Sequence, residues 1–401
     1  MGTTGRSASV VLVHRGAVLG RLRAVELEMP WWPEAHDLVA AVRERDGIEI
    51  TVLRLLRATA DGMAGGEVTY LAATDQVPPL TLEKWPGDDP LAAQPLRQTW
   101  AQPGGPAELL AWAEDRFTEQ GIARTGPAQQ MRTWNLSALW RIPTTAGRIW
   151  LKAVPAFFAH EGAVISWIGV PVAPRLIDFA PGRALVADIV GAVNHEVREP
   201  TALRPMVSLL TGLQQRGVGR VEELLGIGVP DRRLATMVPR IAAVVEQWGS
   251  GLDEPERRSV DALVNDLPVR LAAIADCGVP DTLVHGDFHP GNVAGRPDGY
   301  VILDWGDSFV GHPLVDELAF VERLPPSTAF EVRRWFVSAW ERIVPGSDPA
   351  RAADLLDPVV ALLAAVMYAG FCAAVEPDER IYHEADVLRM LRRAATHDGR
   401  G

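Results

Sequence analysis

The chain has 401 residues, of which 48% are hydrophobic and 22% are charged, and its formal net charge is −12. This composition is typical of a folded globular protein of two or three domains and excludes a mainly disordered chain. The acidic balance argues against a nucleic-acid partner and permits cationic small molecules. We find neither a signal peptide nor an apolar run of the roughly 20 residues that a membrane span needs, so we expect no membrane partner.

The two cysteines, Cys277 and Cys372, lie far apart in helix-like sequence. Two thiols are too few for a disulfide framework or a thiolate metal site. Buried free thiols fit a reducing compartment. We therefore predict a cytoplasmic protein.

Residues 1–98 are predicted to form a small α/β domain. Two short apolar stretches separated by Arg15-Gly16 indicate a hairpin, and the apolar residues of 34–46 recur at the spacing of an amphipathic helix. The segment faintly resembles a Nudix-like domain, but it lacks the spaced glutamates with which that family binds metal. We therefore assign it no hydrolase activity. The predicted strands of this domain are 9–14, 18–22, 48–56 and 67–73.

The remainder of the chain is predicted to change from strands to helices. Residues 99–126 are interpreted as a linker and a helix, residues 127–188 as a small antiparallel sheet, and residues 189–401 as a helical part. Sheet-rich and helix-rich parts that follow one another predict an α+β fold. The predicted helices after residue 200 are 201–216, 232–248, 255–277, 313–323, 328–343, 351–374 and 383–395.

Two segments of the helical part carry the functional interpretation. Residues 283–292 read LVHGDFHPGN, and residues 301–306 read VILDWG. Each segment ends a short β-rich stretch with an acidic or amide side chain, where a rigid scaffold can present catalytic groups. The alternative is that Asp, Asn and Gly serve here only as turn-forming residues.

Phosphoryl transfer is the chemistry that these side chains suit. It needs a positioned acceptor hydroxyl, Mg²⁺ that bridges phosphate oxygens, and cations that balance charge. Asn292 and Asp304 offer the amide and carboxylate oxygens that Mg²⁺ prefers. Asp287 can accept the proton of the acceptor or orient its hydroxyl.

The ordered set H-G-D-x₄-N, then L-D-W-G, then G-x-P-x-x-D resembles the aminoglycoside phosphotransferase and choline kinase group of the protein-kinase-like superfamily. The resemblance implies a two-lobed kinase-like core, with Asp287 as catalytic base and Asn292 and Asp304 as magnesium ligands. It implies ATP as phosphoryl donor, with GTP as the alternative, a small-molecule acceptor, and antibiotic resistance as the role that the family name suggests. Asp316 would support the catalytic loop, and His312 departs from the family, which usually has Asp there.

The strand at 148–154 carries a candidate phosphate ligand. Lys152 lies in apolar sequence, where an ammonium group needs a partner, and Glu161 on the next helix is the nearest candidate. The resemblance implies that Lys152 contacts the α- and β-phosphates and that Glu161 holds it. A surface lysine and a surface glutamate are the alternatives.

Other nucleotide contacts are predicted from position. The turn with Asn135 and Ser137 stands where a nucleotide-covering loop is expected, although a plain β-turn is the alternative. The backbone of Ala187 and Ile189 matches the adenine-binding hinge of the resembled family. His289 could reach the γ-phosphate or the surroundings of the metal, or could be a packed loop histidine.

A polar segment between the last two predicted helices provides candidate acceptor contacts. In the resembled family the acceptor pocket lies on the helical lobe and often uses carboxylates. The alternative is a solvated helix N-terminus, where acidic residues are favourable. The candidates are Glu379, Tyr382, His383 and Asp386.

The sequence thus predicts an ATP-dependent kinase that acts on a hydroxyl of an aminoglycoside-like antibiotic, an amino sugar or an amino alcohol. The alternative is a nucleotide-binding regulatory module with a kinase-like fold and no turnover. A protein kinase is disfavoured, because His289 stands where such kinases carry lysine and no glycine-rich loop precedes Lys152.

Overall fold

The computed structural model describes residues 5–60 and 62–397. Residues 1–4, 61 and 398–401, which fall within the first and last predicted segments, lie outside the described residues. The strands are β1 (Arg6–His14), β2 (Ala17–Leu27), β3 (Thr51–Ala58), β4 (Gly66–Ala73), β5 (Gln129–Trp134), β6 (Ser137–Thr144), β7 (Gly147–Ala153), β8 (Leu176–Ala180), β9 (Arg183–Ala187), β10 (Thr282–Val284), β11 (Val293–Ala294), β12 (Val301–Ile302) and β13 (Phe309–Gly311).

Helices dominate the second half of the chain, and each helix predicted after residue 200 is present with small differences at its ends. The helices are α1 (His36–Asp46), α2 (Gly105–Glu119), α3 (Glu161–Ile168), α4 (Pro200–Gly217), α5 (Val221–Gly226), α6 (Leu234–Trp248), α7 (Glu254–Asp276), α8 (Leu314–Val321), α9 (Pro326–Ile343), α10 (Pro349–Ala374) and α11 (Glu384–His397).

The chain forms two compact units. Unit 1 comprises the described residues up to Ala156, together with Gly182–Asp188 and Gly370–Ala385. Unit 2 comprises Phe157–Pro181, Ile189–Ala369 and the described residues from Asp386 onward. Most of the predicted segments 1–98, 99–126 and 127–188 thus fall in one unit, and the predicted boundaries between them stay predictions.

The N-terminal sheet of unit 1 has the strand order β2-β1-β4-β3, with β1 and β4 parallel and the other pairs antiparallel. Both of its faces are covered, which explains why β1 is almost continuously buried. Trp32, Leu38 and Tyr70 belong to the larger core cluster on one face. Val11 and Leu71 belong to the smaller cluster on the other.

The second sheet of unit 1 contains the antiparallel strands β5, β6, β7 and β9. The side chain of Gln130 on β5 connects it to the N-terminal sheet. Its amide nitrogen donates to the carbonyl of Val52 at 2.7 Å, and its amide oxygen accepts from the Val52 N–H at 2.9 Å. The buried Gln130 amide therefore makes the two backbone hydrogen bonds with Val52 that a neighbouring strand would otherwise make.

A late segment of the chain, Gly370–Ala385, completes unit 1. The buried carboxylate of Glu376 lies 3.3 Å from the Arg54 guanidinium and 2.9 Å from that of Arg97. The Tyr382 ring packs edge-on against Trp32 and Trp134, with centroids 5.9 Å and 5.6 Å apart. Because these ion pairs are buried, removing one partner would leave a buried charge without compensation.

These contacts revise the prediction of an acceptor site in this segment. Glu379, Tyr382 and His383 are only 2–3% exposed, so their side chains present almost no surface to a soluble acceptor. They belong to unit 1, whereas Asp386 belongs to unit 2. Asp386 is half-buried and pairs with Arg389 at 2.7 Å. Within unit 1 Glu376 pairs with Arg54 and Arg97, and His383 contacts Asn135, so these polar side chains have internal partners.

Unit 2 is mostly helical and contains two short two-stranded sheets, of which only the β11–β12 pair is a hairpin. β10 pairs with β13, and β11 pairs with β12, both antiparallel. Trp305, Phe320 and Trp340 are fully buried there. At about 25 cal/mol per Å² of apolar surface, aromatic side chains of this size dominate the hydrophobic contribution to folding.

Helix α10 is long and apolar enough to cross a membrane by length and composition, with a mean hydropathy of 2.0. This qualifies the expectation that no apolar run reaches the required length. Within the chain 61% of its apolar window is buried, as is common for the core helix of a globular protein.

Glu379 makes the stability of the docked segment dependent on pH. Burial raises the pKa of Glu379 from 4.5 to about 8, Glu376 adds to the rise and Arg54 opposes it. A raised pKa means that the folded state binds more protons, so this contribution to stability is present below about pH 4.5 and is lost as the pH rises toward 8. We expect Glu379→Gln to flatten this loss in denaturant titrations, while Asp378→Asn, an exposed neighbour, leaves it unchanged. Parallel pH profiles for wild type and Glu379→Gln would contradict the assignment.

Candidate active site

The hairpin of β11 and β12 brings the two predicted magnesium ligands to the same end of one structure. Val293 pairs with Ile302, and the Leu303 N–H donates to the Asn292 carbonyl at 2.8 Å. Asp304 follows directly in the chain. Residues separated by twelve positions in sequence are therefore adjacent across the hairpin.

Asp287 is held in the same loop by three side chains. The Asn292 amide nitrogen donates to the Asp287 carbonyl at 2.9 Å and to its Oδ2 at 3.2 Å. His289 Nε2 lies 3.4 Å from Oδ2, and Arg323 donates to Oδ1 at 2.9 Å. Because His289 Nδ1 accepts from the Gly291 N–H at 3.0 Å, Nε2 carries the proton that points to Asp287.

These neighbours set the charge state of Asp287. Burial acts to raise the pKa of its carboxyl group, but the hydrogen bond from His289 and the positive charge of Arg323 outweigh it and hold the pKa below its usual range. Asp287 is therefore ionised at neutral pH and accepts hydrogen bonds. His289 acts here as a partner of Asp287, and its predicted contact with phosphate or metal surroundings stays a prediction.

Asp316 supports the catalytic loop through its backbone, as the sequence predicts. Its fully buried carboxylate accepts from the N–H groups of His285 and Gly286, each at 2.9 Å, and from the Gln214 amide at 3.0 Å. Burial raises the pKa of Asp316 to about 7, and the three donors act against the rise. Two consecutive backbone groups before Asp287 are thus fixed by one side chain.

Asp304 adopts the left-handed backbone conformation, with φ 58° and ψ 66°. Non-glycine residues rarely adopt this conformation, and such strain concentrates at functional sites. Buried Glu161 accepts from the next backbone group, the Trp305 N–H, at 3.1 Å. Glu161 therefore fixes the backbone beside Asp304, while its predicted pairing with Lys152 stays a prediction.

The oxygen chemistry of this hairpin end fits Mg²⁺. Because the Asn292 amide nitrogen donates to Asp287, the amide oxygen is left for a cation. Asp304 is exposed and supplies a carboxylate. Mg²⁺ commonly uses one or two protein ligands together with water and substrate phosphates.

His312, where the sequence departs from the resembled family, is buried against the start of α8. Its Nδ1 accepts from the Leu314 N–H at 3.4 Å. Burial lowers the pKa of His312 to about 3, so the imidazole is neutral. The neutral His312 side chain therefore has a structural role at the start of α8.

The predicted nucleotide contacts of unit 1 divide into two groups. Lys152 is half-buried on β7, and Ala187 ends β9; their roles, and that of Ile189 in unit 2, stay predictions. The prediction for Asn135 and the Ser137 side chain needs correction.

Asn135 is 1% exposed, its amide nitrogen donates to the Glu379 carbonyl at 3.1 Å, and its amide oxygen lies 3.1 Å from His383 Nε2. The Ser137 hydroxyl accepts from Trp134 Nε1 at 2.9 Å. Both side chains are thus used within unit 1, which favours the β-turn interpretation.

A cavity of about 280 Å³ opens beside Asp287 within unit 2. Its wall includes residues that the sequence analysis did not single out, because they come from distant parts of the chain and form no motif. Helices α8 and α10 contribute uncharged, mostly apolar side chains, and the charged ones besides Asp287 come from the end of α8 onward, from α11 and from the segment before α6. The lining residues that matter most for charge and shape are Arg232, Phe309, Arg323, Met367, Tyr368 and Arg389.

Comparison with known proteins agrees with this geometry. Residues 146–365, more than half of the chain, match the sequence model of the phosphotransferase enzyme family abbreviated APH. No curated protein sequence matches the chain. The similar solved structures include macrolide 2'-phosphotransferase MphH from Brachybacterium faecium, at 16% identity and a TM-score of 0.51, covering 70% of this chain and 98% of that one.

Two further structures are similar at the level of the fold. One is a putative aminoglycoside phosphotransferase from Ralstonia eutropha, at 16% identity and a TM-score of 0.50, covering 73% of this chain and 98% of that one. The other is the GDP and kanamycin complex of APH(2")-IIia, at 14% identity and a TM-score of 0.51, covering 72% of this chain and 99% of that one.

These structures share the kinase-like α+β fold that the sequence predicts. The chain belongs to the phosphotransferase enzyme family.

Asp316→Asn tests the support of the loop. An amide nitrogen cannot accept, so at least one buried donor loses its partner, at a cost of about 1–3 kcal/mol in the free energy of unfolding. We expect this loss in denaturant titrations at pH 8, where the wild-type carboxylate is ionised. Asp115→Asn, an exposed change on α2, is the control. Equal stabilities of wild type and Asp316→Asn would show that the carboxylate does not hold the loop.

Proposed function

We propose that the protein transfers the γ-phosphoryl group of ATP to a hydroxyl group of a small molecule. The observation that carries the proposal is the arrangement in unit 2 in which Asn292 binds Asp287 through its amide nitrogen while its oxygen and Asp304 stand at the end of one hairpin. A neighbour in fold is described as a GDP complex, so GTP is the donor to compare with ATP.

In this proposal Asp287 orients the acceptor. Its Oδ2 is held by Asn292 and His289, while Oδ1 lies at the cavity and contacts the half-exposed Arg323. The acceptor hydroxyl hydrogen-bonds to Oδ1, its oxygen forms a bond to the γ-phosphorus, and the bond between that phosphorus and the β–γ bridging oxygen breaks. The hydroxyl proton passes to Asp287. A carboxylate with a low pKa is a weak base, which suffices because the transition state is loose and positioning matters most.

Asn292 and Asp304 would hold Mg²⁺. Held there, Mg²⁺ would supply positive charge against the negative charge that develops on the transferred phosphoryl group. Glu161 fixes the backbone beside Asp304 by accepting from the Trp305 N–H, and Asp316 fixes the backbone before Asp287. These two buried carboxylates are positioning residues.

The acceptor enters, in this proposal, from the cavity beside Asp287. Its volume of about 280 Å³ lies just below the roughly 300–1,000 Å³ of sites for drug-sized ligands. By size alone, a single-ring sugar or a small alcohol fits this cavity better than an aminoglycoside antibiotic of several rings. A role in antibiotic resistance and a cytoplasmic location remain part of the proposal. Neither Cys277 nor Cys372 is in a disulfide, and free thiols fit a reducing compartment.

The alternative of a regulatory module without turnover is less well supported. Such a module is expected to have lost a catalytic group, yet Asp287, Asn292 and Asp304 are present and connected by hydrogen bonds or by the hairpin. A screen of ADP release against amino sugars, amino alcohols and antibiotics tests the proposal, with the added phosphoryl group verified by mass spectrometry.

Asp287→Asn is expected to reduce transfer by about 10²–10⁴-fold, because the amide cannot take the hydroxyl proton. Binding of MgATP should remain measurable by calorimetry, since Asp287 is not assigned to the nucleotide. Asp298→Asn, on the exposed tip of the β11–β12 hairpin, is the matched control. Normal turnover of Asp287→Asn would remove this residue from its catalytic role.

Asp304→Ala is expected to weaken MgATP binding by at least about tenfold, because one of two metal-binding side chains is lost. The measurement is a titration with ATP at saturating and at limiting Mg²⁺, and Asp298→Ala serves as control. Unchanged affinity at both Mg²⁺ concentrations would contradict the assignment of Asp304.

A further inference from the structure

The wall of the cavity beside Asp287 is unusually rich in arginine. Four arginines line it, together with apolar side chains such as Leu363 and Met390. Only two carboxylates, Asp287 and Glu322, line the same cavity. A cavity that receives a cationic acceptor would be expected to show the opposite balance.

Three of the four guanidinium groups have a carboxylate partner. Arg323 contacts Asp287 at 2.9 Å. Arg389 contacts Asp386, and Arg393 contacts Glu322, both at 2.7 Å. These three charges are largely neutralised within the protein.

Arg232 is different. Its guanidinium stacks on the Phe309 ring at 5.2 Å, and among the described residues it has neither a hydrogen bond to a side chain nor an ion pair within 4 Å. Burial lowers the pKa of Arg232, and the negative charge of Asp307 opposes this effect. A guanidinium placed at low exposure without a paired carboxylate is costly and indicates a functional site.

Arg232 and Asp287 are attached to the same small sheet. The Arg232 N–H donates to the Val310 carbonyl on β13 at 2.9 Å, and β13 pairs with β10, which leads into the Asp287 loop. At Gly311 an added Cβ would lie 3.1 Å from the Arg232 carbonyl oxygen, so the two segments are closely packed. The backbones that carry Arg232 and Asp287 are therefore joined through one small sheet, and both residues line the same cavity.

We propose that the acceptor carries a carboxylate that binds Arg232 while its hydroxyl meets Asp287, which makes it a hydroxy acid or sugar acid. This inference rests on the proposed function. A guanidinium presents two parallel N–H donors that match a carboxylate, and such charge-assisted pairs are strong in a cavity of low dielectric. A purely cationic acceptor would bring an ammonium group close to Arg232 and Arg323, where like charges repel.

The test uses the full chain and three hexose probes that differ in one group: glucuronate, glucose and glucosamine. Binding is measured by the rise in melting temperature at millimolar probe, and transfer by ADP release with MgATP. We expect glucuronate to stabilise the wild type and glucosamine not to, and Arg232→Gln to weaken glucuronate binding by roughly tenfold or more. Glucose 6-phosphate, in a separate arm, distinguishes a general anion site from a carboxylate site.

Controls separate a loss of charge from a loss of fold. Arg258→Gln removes one positive charge from an exposed position on α7 and should leave glucuronate binding unchanged. Arg232→Lys keeps the charge without the paired donors and should bind glucuronate with intermediate affinity, which keeps the test valid if Arg232→Gln is poorly folded.

Equal or stronger binding of glucosamine, absence of glucuronate binding, or unchanged binding in Arg232→Gln would overturn the inference. Transfer to glucose or glucosamine without preference for the acid would also overturn it while leaving the proposed function intact. Glucuronate binding that depends on Arg232, without transfer to any acceptor, would support the anion site and count against the proposed function.

Discussion

One buried carboxylate organises the candidate active site. Asp316 accepts from the backbone of His285 and Gly286 and from Gln214, and Asp287 follows directly. The cost of burying this charge is offset by three donors, which would otherwise be left without partners. The orientation of Asp287, its contacts with Asn292 and its position at the cavity therefore all depend on a residue that touches no substrate.

Buried carboxylates also support the backbone beside Asp304 and the core of unit 1. Glu161 holds the backbone beside Asp304, and Glu376 joins Arg54 and Arg97. In each case a buried acid serves as a structural support, and the groups assigned to chemistry are more exposed. The buried acidic residues described here hold neighbouring groups in place and are not assigned to catalysis.

The sequence allowed the fold class, the helices of the second half and the roles proposed for Asp287, Asn292 and Asp304 to be predicted, because local periodicity and a compact motif carry that information. It did not identify Arg232 or Arg323, which reach the cavity only through tertiary packing. Asn135 was misinterpreted for a related reason: a polar side chain in a turn does not reveal that its partner is 244 residues away, at Glu379.

The late segment Gly370–Ala385 has a consequence for biosynthesis. Unit 1 lacks the Tyr382 ring of its core and the acid that compensates Arg54 until residues 370–385 have left the ribosome. Translation adds roughly 5–20 residues per second, so many seconds pass between the synthesis of the N-terminal strands and that of this segment. During this time apolar surface of unit 1 stays exposed. Nascent chains that stall before residue 370 should accordingly depend on chaperones that bind such surface.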